Sequence, residues 1–378
     1  MQRVRQYSIL VLAAGALLVA ACGPSTPPPT PPTGTVTPIQ GIGPLVSAAA
    51  GTRAISADGR VVALRVTDTE GSEIRLWIAE GGPAEPITTA GYGGLEAPSV
   101  SADGSVVLFT QQSGQVVPGL TATGDEFFLH DVAAGTTERI EVPDTLSRAA
   151  VTRASISGDG SLVVLNRGHH VLQWTRDDGF VEIGQPAGDL LSVEAASLSA
   201  DGRFVTVRSV REVASDPTRY RSDYVVLDRE AGTVHATSEG PSWVTDILQP
   251  SGFDFRLAAT TDDGGAIYSF AEGGGAYVLD GVTGTTSPLP RSGGAAISAA
   301  SHDGVHVGVR TPSQPLPPTP SLHRVVDRTD GSALSIGWTV AGDAGAWGVA
   351  DGGRRILVLR QGADAPAGPG FYLWDRDG

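Results

Sequence analysis

The run Ser101-Ala102-Asp103-Gly104-Ser105-Val106-Val107-Leu108-Phe109 decides the fold, because its opening phrase returns six more times along the chain. The counterparts are Ser56-Ala57-Asp58-Gly59, Ser157-Gly158-Asp159-Gly160, Ser199-Ala200-Asp201-Gly202, Thr261-Asp262-Asp263-Gly264, Ser301-His302-Asp303-Gly304 and Val349-Ala350-Asp351-Gly352. The Asp before each Gly falls at 58, 103, 159, 201, 263, 303 and 351, a blade-sized period with loop insertions in the longer copies. Asp-Gly supplies the positive φ values of a two-residue type I′ hairpin, and the hydroxyl beside it can satisfy neighbouring backbone groups. Strands must flank such a turn.

Downstream of each phrase stands a short β-branched run such as Val61-Val62-Ala63-Leu64, Leu162-Val163-Val164-Leu165 or Ile356-Leu357-Val358-Leu359, too short for a helix. A third strand follows, as in Phe127-Phe128-Leu129-His130-Asp131 and Phe371-Tyr372-Leu373-Trp374-Asp375, and a fourth begins after a Gly-containing turn, as in Gly135-Thr136-Thr137-Glu138-Arg139-Ile140. The fold predicted is all-β: a seven-bladed β-propeller of four-stranded antiparallel blades over residues 33–378. The seventh copy ends at Asp375-Arg376-Asp377-Gly378, where its fourth strand should begin. Thr33-Gly34-Thr35-Val36-Thr37-Pro38-Ile39 matches Thr283-Gly284-Thr285-Thr286-Ser287-Pro288-Leu289 in residue type, so residues near 34–40 are predicted to complete the last blade. Pro38 suits an outermost strand, where a missing N–H is tolerated.

The N-terminus reads as an export signal over 1–21: Arg3 and Arg5, then the apolar run Ile9 to Ala21, then Cys22. Val19-Ala20-Ala21-Cys22 resembles the lipobox of bacterial lipoproteins, which implies that Cys22, the one Cys of the chain, carries a diacylglycerol thioether and becomes the mature N-terminus. Residues 22–32, rich in Pro and Thr, are expected to form an extended tether. The expected location is the bacterial envelope, lipid-anchored at the outer membrane and its periplasmic face in a Gram-negative cell or at the cell surface in a Gram-positive one.

The seven phrases with their hydrophobic and aromatic-aliphatic-Asp strands resemble the TolB-like, WD40-like (PD40-type) propeller repeats over essentially all of 34–378. Blade two resembles the extended form of that repeat but carries Leu120 and Ala122 where acidic or amide residues are frequent, which argues against an ion there.

The net charge is −15, with 41 Asp and Glu against 26 basic residues that are all Arg, so nucleic acid is not an expected partner. No His-Glu-x-x-His, Gly-x-Ser-x-Gly or phosphate loop is present. The inner strands before each turn, such as Ala54-Ile55-Ser56 and Ala154-Ser155-Ile156-Ser157, read as small and uncharged, so no metal, no cofactor and no catalytic residue are expected there. Ser301-His302-Asp303 holds the residue types of a catalytic triad, but neighbours in a turn cannot adopt its geometry.

Charges recur where the chain approaches each inner strand, at Arg53, Glu96, Arg153, Glu194 and Arg256. These are the candidate ligand-binding residues, a polar rim at one mouth of the channel, set against the simpler reading of solvated loop ends. Arg211 to Asp223, Thr311 to Ser321 and Gln361 to Gly370 read as long loops able to vary partners. The expected function is a monomeric, non-enzymatic scaffold binding an envelope protein or peptide and held at the membrane through the lipid on Cys22. The alternative is a hydrolase or lactonase-like propeller enzyme with its site in the central channel.

Overall fold

A computed structural model describes residues 34–42, 47–49, 53–91, 94–142, 151–167, 170–184, 190–213, 215–244, 256–270, 275–292, 296–311, 322–336, 345–360 and 370–377. The signal, Cys22 and the tether lie outside these residues. The described strands form seven four-stranded antiparallel sheets in a propeller arrangement, plus one small hairpin, and no α-helix occurs among the described residues.

Blade three shows the pattern plainly, with Val151–Ile156, Leu162–Arg167, His170–Thr175 and Gly179–Gly184 laid side by side in chain order. Blade seven takes its outermost strand from the N-terminus. Thr35–Pro38 pairs antiparallel with Gly370–Asp375 in the register Thr35 with Asp375 and Pro38 with Tyr372, so the ring closes as the sequence predicts. Pro38 stands on the outer edge, where its missing N–H breaks no ladder.

Seven hydrophobic clusters fill the seven gaps between blades. In Val61–Thr67 of blade one, Val62, Leu64 and Val66 pack toward blade seven against Leu357, Leu359 and Phe371, while Ala63 packs toward blade two with Val107 and Phe109. Successive side chains leave a strand on opposite faces, so a strand buried on both must be hydrophobic throughout. That requirement explains why the second strands read as continuous apolar runs.

The recurring turn differs from the predicted type I′ hairpin. Among the described residues only Glu80 and Arg291 have positive φ without being Gly, so the Asp of each phrase does not adopt the left-handed region; Gly59, at φ 70°, does. Ser56 N–H donates to Val61 O at 2.9 Å and Gly59 N–H to Ser56 O at 2.9 Å, which encloses a four-residue loop. Ser56 Oγ accepts from the N–H of Val61 at 3.0 Å and donates to Asp58 Oδ1 at 2.7 Å. One hydroxyl therefore joins both ends of the turn.

The seventh turn is shifted by one residue. Ala350 N–H donates to Arg355 O and Gly353 N–H to Ala350 O, so Ala350 occupies the place of Ser56. Gly352 (φ 72°) and Gly353 (φ 60°) both take left-handed backbone, which only a Gly pair does without strain. Asp351 consequently aligns with Ala57 and not with Asp58.

Arg211 to Asp223 is a second correction, since this segment is paired and not a loop. Phe204–Val213 and Asp216–Asp228 run antiparallel with Ser209 opposite Asp223 and Glu212 opposite Tyr220, and Thr233–Val244 continues beside them. The alternation Arg219-Tyr220-Arg221-Ser222-Asp223-Tyr224 is a two-faced strand pattern. Blade four therefore projects beyond its neighbours. Residues 312–321 and 361–369, the other two segments read as loops, lie outside the described residues.

Candidate functional site

The second residue of each turn, directly after Ser56 and its counterparts Ser101, Ser157, Ser199, Thr261, Ser301 and Ala350, faces the neighbouring turns at the centre of the ring. In blade order these are Ala57, Ala102, Gly158, Ala200, Asp262, His302 and Asp351. The turns are hydrogen-bonded around the ring. Asp351 N–H donates to Ala57 O, Ala57 N–H to Ala102 O, Asp103 N–H to Gly158 O and Gly158 N–H to Ala200 O, at 2.7 to 2.9 Å. Two further junctions use carboxylates as the acceptor: Asp201 N–H donates to Asp262 Oδ1 and Asp303 N–H to Asp351 Oδ1, each at 3.1 Å. Six of the seven junctions are stitched in this way among the described residues, the exception lying between blades five and six.

Just inside this ring two long side chains cross the channel. Arg53, three residues before Ser56, is 4 % exposed, and its Nη1 and Nη2 donate to Ile156 O at 3.5 Å and Thr260 O at 3.4 Å. Those carbonyls belong to the inner strands of blades three and five, so a side chain rooted in blade one can reach both only across the axis. His302 of blade six is 1 % exposed and donates through Nε2 to Ile55 O of blade one at 2.9 Å, spanning past blade seven. A backbone carbonyl only accepts, so the proton of the neutral ring is on Nε2 and Nδ1 is a bare acceptor.

The two side chains have room to cross because most of the others at this level are short, while Trp347 packs against Phe371 in the core between blades seven and one. The residues three places before the first turn residue of each blade are Arg53, Pro98, Ala154, Ala196, Ala258, Ser298 and Trp347. Ala258, Ser298 and Trp347 stand at β-bulges, where the pairing skips from Leu257 to Ala259, Ile297 to Ala299 and Ala346 to Gly348.

Electrostatics follow from burial. Desolvation lowers the Arg53 pKa to about 10, only partly offset by Asp262 and Asp351, so the guanidinium stays charged at neutral pH. Burial and then the Arg53 charge bring His302 down to about 3, which keeps it neutral. Asp351 is pushed up to about 6 by desolvation and then by Asp303, and Asp262 is raised by desolvation, with a smaller contribution from Asp201. Arg53 Nε and His302 Nδ1 are buried without a hydrogen-bond partner.

The predicted rim thus resolves unevenly. Arg53 lies in the channel interior and not at a solvated mouth, so the lining is not uncharged as its inner strands suggest in sequence. Glu96 is exposed, with its N–H donated to Thr110 O at 3.0 Å. Arg153, Glu194 and Arg256 occupy inner strands of blades three, four and five, with Glu194 at a bulge, and their side chains lie outside what the structure describes. In the Ser301-His302-Asp303 turn, Ser301 Oγ donates to Asp303 Oδ1 at 2.5 Å while His302 turns to the channel, so no triad forms. His302, Asp262 and Asp351 were not singled out as site residues from sequence, yet all three occupy the same place in the repeat, and aligning the seven copies on their closing hydrogen bonds identifies it.

No protein-family model and no curated protein matches the chain. Among solved structures it is similar to an oligogalacturonate lyase from Vibrio parahaemolyticus, at 11% identity and a TM-score of 0.59, covering 90% of this chain and 93% of that one. It is also similar to a chain of a mitotic checkpoint complex, at 13% identity and a TM-score of 0.50, covering 99% and 98%. At such identities the likeness extends to the propeller fold alone.

Proposed function

We propose that the protein is a lipid-anchored binding propeller of the bacterial envelope, tethered through Cys22 and presenting a channel and a projecting blade four to a protein or peptide. The supporting observation is the lack of a paired nucleophile and base among the described channel residues. His302 is neutral and bonded to Ile55 O, Arg53 cannot accept a proton, and the Ser301 hydroxyl is turned to Asp303, so among the described residues none of these forms a nucleophile–base pair. The test is cross-linked capture of partners from the organism's own membranes with the lipidated chain. Specific capture that is lost with Cys22→Ser, or with shortening of the 211–223 arm, supports the reading, and turnover on ester, lactone or glycoside substrates overturns it.

One observation favours the enzymatic alternative: Asp351, with its pKa raised to about 6, has the protonation range of a general acid or base. An activity abolished by Asp351→Asn with folding unchanged would establish that reading in place of the first.

A further inference from the structure

We infer that the channel holds a carboxylate-binding site built on the free edge of the Arg53 guanidinium, with His302 Nδ1 beside it as an acceptor for a hydrogen-bond donor on the same ligand. This deepens the binding-propeller reading and rests on it in one respect, that the channel receives a ligand.

The first support is the geometry of Arg53. Each Nη spends a hydrogen on a carbonyl, at the long distances of 3.5 and 3.4 Å, and no carboxylate comes within ion-pair distance among the described residues. Three of the five N–H donors remain, Nε–H and one hydrogen on each Nη, and Nε–H with a hydrogen of the adjacent Nη forms the edge that can present two parallel donors. That edge matches the two oxygens of a carboxylate, the pairing in which a guanidinium gains most. A cation 4 % exposed with an orphan donor is also incomplete electrostatically, because a buried charge is tolerated when it is paired.

The second support is a separate orphan atom, on His302. His302 Nδ1 is a buried lone pair without a donor, in a ring close enough to Arg53 to feel its charge. A ligand satisfying both groups carries a carboxylate and, near it, an N–H or O–H; hydroxy acids and the C-terminal residue of a peptide share that chemistry.

The experiment is thermal unfolding of the purified full chain at constant pH and ionic strength, with sodium chloride replaced stepwise by sodium acetate or sodium lactate. For a site filled to ten times its Kd the midpoint is expected to rise by about 2–4 °C, with lactate more effective than acetate. Arg53→Met, of similar volume, should remain folded and lose the shift. Arg53→Lys keeps the charge without the fork and should lose most of it, and it carries the test if Arg53→Met does not fold. Saturation-transfer NMR on acetate supplies a readout free of stability effects. A tetraglycine with a free C-terminus that protects where its amide does not assigns the site to peptide ends, whereas protection by lactate alone assigns it to small acids.

Equal midpoints in chloride and acetate, or an acetate effect unchanged in both Arg53 variants, would overturn the site and mean that water alone satisfies Arg53. Partner capture surviving in Arg53→Met alongside absent acetate binding would leave the scaffold reading standing and remove this one. Turnover of a carboxylate substrate would do the reverse.

Discussion

Asp351 Oδ1 accepts the backbone N–H of Asp303 at 3.1 Å, so a side chain serves where the neighbouring turns use a main-chain carbonyl. Asp262 does the same for Asp201 one quarter of the way round. The desolvation of these carboxylates is offset by the backbone N–H groups they accept from and, to a smaller degree, by the Arg53 charge.

Asp351→Asn keeps the acceptor and removes the titration. The folded pKa of about 6 lies above the ordinary carboxylate value, so the folded state holds the proton more tightly and stability falls as pH rises from about 4 to 6. The Asn variant should match or exceed the parent at pH 7.5 and show a flatter profile over that window in denaturant titrations. Asp351→Ala, which breaks the stitch, should cost about 1 kcal/mol.

His302 works with the opposite sign. Its folded pKa of about 3 is below the unfolded value, so the unfolded state takes up the proton first and stability is lost as pH falls from about 6.5 toward 3. His302→Gln retains an N–H for Ile55 O without titrating. Its midpoint should change less between pH 7 and pH 4 than that of the parent, and an unchanged acid profile would contradict the buried, neutral assignment.

Ser157→Ala tests the turn itself. Ser157 Oγ accepts Leu162 N–H at 3.0 Å and donates to Asp159 Oδ1 at 2.6 Å. Desolvation alone would raise the Asp159 pKa, but the hydrogen bonds from Ser157 and Ser161 outweigh it and hold the pKa below the usual value. Removing the hydroxyl leaves a buried N–H without its acceptor, for a loss of about 1–3 kcal/mol in urea unfolding and a rise in the Asp159 pKa measurable by NMR.

Removal of Thr35–Pro38 opens blade seven. The strand Gly370–Asp375 would then present its outer ladder, with Phe371, Tyr372 and Trp374 beside it, to solvent and to other chains. A chain beginning at residue 41 should unfold at lower temperature and elute from size exclusion as higher-order species, and a monomer of unchanged midpoint would contradict closure by this strand.

Much of the architecture was legible in sequence because hairpin chemistry is local: Ser, Asp and Gly at fixed offsets declare a turn, and the apolar runs after them declare strands buried on both faces. The turn class was misread because the Asp-Gly pair resembles a two-residue loop, whereas the hydroxyl three residues before Gly closes a longer one. Asp351 was placed one position off because Gly352-Gly353 lets the last turn slide. Arg53 read as a rim residue since its immediate neighbours in sequence are small. Its burial becomes evident only when Pro98, Ala154, Ala196 and Ala258 are set at the same height around the axis, a comparison between blades and not along the chain. Arg211 to Asp223 reads as a loop because charge masks a strand whose two faces differ.

The missing stitch between blades five and six gives the ring a weak point. The packing there includes four alanines, Ala258, Ala259, Ala276 and Ala300, beside seven Val, Ile and Leu, and among the described residues no turn bond assists it. A hoop fastened at six joints and merely pressed together at the seventh parts at the seventh when strained. Strain on the ring is expected to open that junction first, well away from the seam where Thr35–Pro38 completes the last blade.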